Sequence, residues 1–141
     1  GRIEVFLRQR SADDTAYPLE WHAPGSLYRH GEQDADVAGR LQGEFGCEIG
    51  NFELVGRHIT SEARGTIMSL LFLVEALGAV REDDRHRWFP IDQLPERTVD
   101  FHRNVYIPAA AKAWVARDER LMALELAELE RQRDLRHSRD S

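Results

Sequence analysis

The amino-acid sequence predicts an α/β (α+β) fold: a mixed sheet, one helix packed against it and a long C-terminal helix. Three observations predict it. Short β-branched and aromatic runs flank one amphipathic helical segment. The chain then closes on a long stretch of strong helix formers. Finally, 42% apolar and 31% charged residues over 141 positions supply one core and a solvated shell. A chain of this length usually makes one domain. We expect it over residues 1–130, with a charged, disordered tail over 131–141.

In order, Ile3 to Arg10 (IEVFLRQR) reads as a strand and Ser11 to Thr15 as a polar turn. Tyr17 to Trp21 reads as a short return strand, and Ala23-Pro24-Gly25-Ser26 opens a loop reaching Gly31. A helix is expected from Gln33 to Phe45, because Val37, Leu41 and Phe45 recur every four residues as one apolar stripe. Gly46 then sits where a helix-terminating glycine belongs. A strand from Phe52 toward Ile59, a turn over Thr60–Gly65 and a strand over Thr66–Val74 follow, the last apolar enough for burial on both faces. Arg81 to Arg87 is a charged loop, Trp88-Phe89 a short strand and Pro90 to Pro95 a turn. Pro108 suits the first turn of the long helix, which should run to about Arg133. Val115, Met122 and Leu129 are seven apart with Leu126 on the same side, a stripe suited to a solvated extension or to a homodimer contact.

Composition excludes several classes. A net charge of −6 disfavours a nucleic-acid backbone as the main partner, while leaving room for a local cationic pocket. Cys47 is the only cysteine, so neither an internal disulfide nor a thiolate zinc site is expected. The six histidines lack HExxH spacing, and GxSxG, Walker and GxGxxG motifs are missing. The apolar stretch Ile67–Val80 is broken by Ser69, Glu75 and Gly78 and is too short to span a bilayer. Charged Arg2 and Glu4 do not fit a signal peptide, so a soluble, cytoplasmic protein without membrane contact is expected.

The segment from Trp21 to Gly50, WHAPGSLYRHGEQDADVAGRLQGEFGCEIG, resembles the Nudix box, G-x5-E-x7-R-E-U-x-E-E-x-G-U with U aliphatic. IEVFLRQR is similar to the family's preceding strand, and RWFPIDQLPE (Arg87 to Glu96) to the strand and turn that follow. The resemblance implies an α/β/α sandwich with a central mixed sheet, a box helix and a terminal helix. A further strand, usual in the family, would lie before Ile3. It also implies a pyrophosphohydrolase of nucleoside diphosphate derivatives, in which carboxylates on the box helix hold Mg²⁺ or Mn²⁺. Clustered acids suit that task because hard divalent cations prefer oxygen ligands and neutralise phosphoryl charge.

Residue by residue, the box is degenerate. Pro24-Gly25 and Gly31-Glu32 fit the loop, but Ser26 replaces the glycine that opens the motif. Anchored on Gly46 and Cys47, the helix places Gly39 at the arginine position and Arg40 at the first core glutamate. Leu41 keeps the aliphatic slot, Gly43 takes the next glutamate, and Glu44 alone matches a metal-ligand acid. Without a gap, Arg40 matches the arginine, but Leu41 and Phe45 replace acids and Gln42 fills the aliphatic slot. Both registers lose the carboxylate cluster. Asp36, Arg40 and Glu44, spaced by four, form a stripe of alternating sign, and a guanidinium beside Glu44 would repel a dication.

The expected site residues follow from that frame. Glu32 and Glu44 are the catalytic candidates, and Glu44 with Asp84, from the acidic run Glu82–Asp84, the metal candidates. Arg8 and Arg10 are candidates for phosphate contact, and Trp21 and Tyr28 for stacking on a base, though all four also suit ordinary surface or core roles. His22 and His30 flank the loop as possible acid–base groups. The expected function is binding of a nucleotide-like or pyrophosphate-containing ligand with metal-dependent hydrolysis weakened or lost, and so with no cofactor required. The alternatives are an active Mg²⁺- or Mn²⁺-dependent hydrolase with a non-standard site, and an oligomeric scaffold built on the C-terminal helix.

Overall fold

The computed structural model describes residues 3–25, 28–63 and 65–140. It is α+β, with two antiparallel sheets, one twelve-residue helix and a long C-terminal helix. The chain divides into two compact units, Gly1–Ala111 and Lys112–Ser141. Ser26, the residue standing for the box's opening glycine, lies outside the described residues.

The first sheet has strand order β2-β1-β5, with β1 at Glu4–Gln9, β2 at Trp21–His22 and β5 at His86–Pro90. Successive side chains of β1 turn to opposite faces. Leu7 is fully buried with Trp21 and Ile107, and Val5, Phe89, Ile91 and Leu94 pack around them. Phe6, on the other face, meets Phe45 edge-on at 5.6 Å and Trp88 at 5.5 Å. The expected return strand at Tyr17–Trp21 shrinks to Trp21–His22, because Ser11–Glu20 is occupied by turns closed on the Asp14 carboxylate.

Helix α1 (Asp34–Phe45) ends as its sequence predicts, with Gly46 left-handed at φ 71° and a backbone bond from its N–H to Gln42 O. A Cβ there would meet Arg81 Cβ at 3.3 Å, so position and conformation both call for glycine. Val37 and Leu41 are buried against Ile49, with Phe45, Phe52 and Val74 closing this second cluster.

The second sheet is a hairpin of β3 (Ile49–Glu62) and β4 (Gly65–Ala76), longer than either predicted strand. It corrects two expectations. A single central mixed sheet is replaced by two antiparallel sheets, and parallel pairing among the described residues is one bridge, Trp21 with Thr98. Nor is β4 buried on both faces: no residue of it is fully buried, and the cross-strand pair Ile59 and Met68 is 66% and 62% exposed. The reason is geometric, since among the described residues the cluster on α1 covers only the hairpin's base, through Ile49, Phe52 and Val74.

Pro108 falls in the first turn of the long helix as expected, but helical structure starts before that helix. The chain is already helical at Asp100, passes through a π-helical segment at His102–Tyr106 and continues as α2 (Ile107–Asp140). The Ile107 N–H reaches back to His102 O, five residues away. A helical proline lacks an N–H and crowds the carbonyl four residues earlier, so the widened turn accommodates the ring. Residues 131–140, read from sequence as a frayed tail, also lie in α2. Arg131 there holds Glu128 at 2.6 Å, a helix-stabilising spacing. No helix among the described residues is long and apolar enough to cross a membrane.

Leu7→Ala should therefore cost about 2–5 kcal/mol of unfolding free energy in a denaturant titration. Ile59→Thr, at the exposed hairpin position, should change it by no more than about 0.5 kcal/mol.

Candidate functional site

Arg8 lies on the face of β1 opposite Leu7, and Arg10 follows just past the end of the strand. Register sets Arg8 between His22 on β2 and His86 on β5, a row running across all three strands. Arg8, Arg10, Ser11, Asp14, His22, Gly25 and Arg85 line a cleft of about 330 Å³. Its charged lining is three guanidiniums against one carboxylate, so the cleft is cationic in a chain whose net charge is −6.

Each cationic group is held in place. Arg8 Nη1 donates to Glu44 Oε1 at 3.0 Å, tying β1 to α1 across 36 residues. Arg10 Nη1 donates to Asp14 Oδ2 at 3.0 Å, and its guanidinium lies 5.6 Å from the Tyr17 ring centroid. Arg85 Nη2 donates to Gln9 O at 3.1 Å. A guanidinium has five N–H groups in a planar fork, and these bonds use only some of them. Arg10 Nε is buried with no hydrogen-bond partner among the described residues. Asp14 accepts from the Tyr17 and Ala16 N–H groups as well as Arg10, which holds its carboxyl down at about 2.

His22 is neutral at pH 7. Burial, reinforced by Arg10, pushes it down to about 4. Its Nδ1 lies 2.7 Å from Ala23 O, a group that can only accept, so Nδ1 carries the proton. His102 is pushed down to about 3 by burial, then by His22 and Arg10. Its Nδ1 accepts the Ala23 N–H at 3.0 Å and must be unprotonated to do so. The Ala23 peptide groups are thus clamped between two neutral histidines, next to the Gly25 edge of the cleft.

The acidic candidates are placed differently from the sequence expectation. Arg40 does not simply sit beside Glu44: it pairs back with Glu32, holding that carboxyl below its ordinary value, while Glu44 accepts from Arg8. Glu32 also accepts the Arg29 N–H at 2.6 Å. Asp84 is exposed at the tip of a turn closed by Asp83 and His86. Asp83, its neighbour, is held below the usual carboxylate range by His86 and by the Arg85 N–H. Among the described residues no three His, Cys, Asp or Glu side chains lie close enough to share a metal ion. Of the candidate acids, Glu44 and Glu32 are thus each engaged by an arginine, while Asp84 lies in the separate turn before β5.

The remaining candidates separate. Trp21 is buried in the core, its ring 5.0 Å from Phe89, and offers no open face to a base. Tyr28 is 42% exposed and donates to Asp34 Oδ1 at 2.5 Å, which pushes its hydroxyl up to about 12. His30 is exposed in the turn before α1. Arg85 and Ser11 were not singled out from sequence. Arg85 reaches the cleft because β5 runs antiparallel to β1 with His86 opposite Arg8, a pairing that composition and spacing do not specify.

The histidine clamp has a pH signature. In the unfolded chain both imidazoles titrate near 6.5, and in the fold near 4 and 3. The unfolded state therefore binds more protons below pH 6.5, and stability falls as pH drops through that window. A urea titration at pH 7 and pH 4.5 should show the loss. His102→Asn keeps an acceptor for Ala23 without the titration, and should reduce the pH dependence.

No protein-family model matches this chain, and neither does any curated protein.

Proposed function

We propose that this protein binds a nucleotide-like, pyrophosphate-containing ligand in the cationic cleft, with Nudix-type metal-dependent hydrolysis weakened or lost. The observation that carries the reading is the double engagement of acids by arginines: Glu44 by Arg8 and Glu32 by Arg40. A cation that would neutralise phosphate charge has lost its oxygens, and guanidiniums stand nearby to take over the binding role. Arginine suits it, since its planar fork matches phosphate oxygens two at a time. A cleft of about 330 Å³ is large enough to hold a diphosphate group. The α+β order of elements and the loop-helix segment from Trp21 to Gly46 are in keeping with this reading.

Catalytically, the chain's own groups supply little at neutral pH. His22, neutral and donating through Nδ1 to Ala23 O, has Nε2 left as an acceptor for a ligand proton. Arg8, Arg10 and Arg85 orient and neutralise an anion, and none of them takes a proton from water at pH 7.

The test is thermal stabilisation by ADP-ribose, ADP and inorganic pyrophosphate with chelator present. Binding at about 100-fold above Kd stabilises by about 2.7 kcal/mol, well within reach of a thermal-shift assay. Arg85→Gln, which alters an exposed side chain, should weaken binding by about tenfold or more, about 1.4 kcal/mol. Turnover of these compounds with Mg²⁺ or Mn²⁺ that disappears in Glu44→Gln would overturn the loss of hydrolysis and restore the active-enzyme alternative.

A further inference from the structure

Lys112–Ser141 is a unit of its own, and its helix carries large apolar side chains in solvent. Val115, Met122, Leu126 and Leu129 are 42%, 56%, 59% and 56% exposed. At 3.6 residues per turn they fall on one stripe, which also holds Glu119 toward its N-terminal end and Arg133 and Arg136 toward its C-terminal end. From Val115 to Asp140 that stripe is about 39 Å long, long enough for the three to four heptads of a coiled coil.

The geometry points to a second copy of this chain, laid antiparallel along that stripe, as its occupant. The charges select both the partner and its direction. In a parallel pair Glu119 would stack on Glu119, Arg133 on Arg133 and Arg136 on Arg136, each repulsive in a seam. Reversing one copy places Glu119 opposite Arg136 of the other and Asp118 opposite Arg139. The same register puts Leu126 against Leu129 at the two-fold axis. It also puts the stem of Arg133 over Met122, an ordinary contact for a long cationic side chain. Every contact then occurs twice, as a closed two-fold interface requires.

The opposite side of the helix is also apolar, at Trp114, Leu121, Leu124 and Leu135, and two of its arginines are engaged within the helix. Arg131 holds Glu128 at 2.6 Å, and the Arg117 guanidinium lies 5.9 Å from the Trp114 ring centroid. The stripe through Leu126 is the one whose end charges call for a reversed copy.

Sedimentation equilibrium of the full chain, from low micromolar to about 100 µM, should give the mass of two chains. Leu126→Glu should convert it to a monomer with unchanged helix content by circular dichroism, whereas Leu124→Glu should leave the dimer intact. Direction is read by oxidative cross-linking in a Cys47→Ser background. A mixture of Glu119→Cys and Arg136→Cys chains should form the mixed disulfide, and Glu119→Cys alone should form none. A monomer across the whole range overturns the proposal and leaves the stripe to a different protein. Dissociation by Leu124→Glu but not Leu126→Glu overturns the stripe, and self-cross-linking of Glu119→Cys overturns the antiparallel direction.

Discussion

A β-strand must turn successive side chains to opposite faces, and β1 converts that constraint into the arrangement of the whole first unit. Leu7 faces a core it shares with Trp21 and Ile107, while Phe6 and Arg8 face α1, where Phe45 and Glu44 meet them. A one-residue slip of β1 would put Arg8 into the core and Leu7 against the cleft. The burial of Leu7 thus holds the guanidiniums of Arg8 and Arg10 where they are. A partly exposed ion pair such as Arg8–Glu44 contributes no more than about 1 kcal/mol, so it follows the packing rather than driving it.

The electrostatics of the cleft rest on the same economy. Arginines near carboxylates are ordinary on a protein surface, but here they divide into two sets. Arg40 pairs with Glu32 outside the cleft lining, whereas Arg8, Arg10 and Arg85 line the cleft, Arg8 also bonding Glu44 and Arg10 bonding Asp14. His22 and His102 stay uncharged beside them because burial and the neighbouring guanidiniums both oppose protonation. Neutral histidines let the Ala23 peptide be held from both sides, its carbonyl by a donor and its N–H by an acceptor. The proposed anion ligand would thus meet a rim whose positive charge is carried by arginine alone.

The same contrast between committed and open groups runs through α2. Its strong helix formers extend the helix to Asp140, past the point where charge density alone suggests fraying. Such a helix, with apolar side chains on two sides and blocks of opposite charge, carries the features that the proposed pairing of two copies would use.

Local signals were strong where the physics is local. The stripe Val37, Leu41 and Phe45, the left-handed Gly46 and the run IEVFLRQR place α1 and β1 without reference to the rest of the chain. The candidate acids Glu32 and Glu44 and the candidate cations Arg8 and Arg10 were legible too, as residue types near a loop and a helix. Their partners were not. Glu44 lies four residues from Arg40 in sequence yet bonds Arg8, 36 residues away, and Arg85 joins the cleft through a strand register. Trp21 reads as equally suited to a ligand or to the core until β2 pairs with β1 and turns it inward. Sequence by itself determined α1, β1 and which side chains carry charge, because propensity and periodicity act over a few residues. Only the tertiary structure decided which charges meet and which rings are covered, because those depend on contacts between segments that no spacing along the chain encodes.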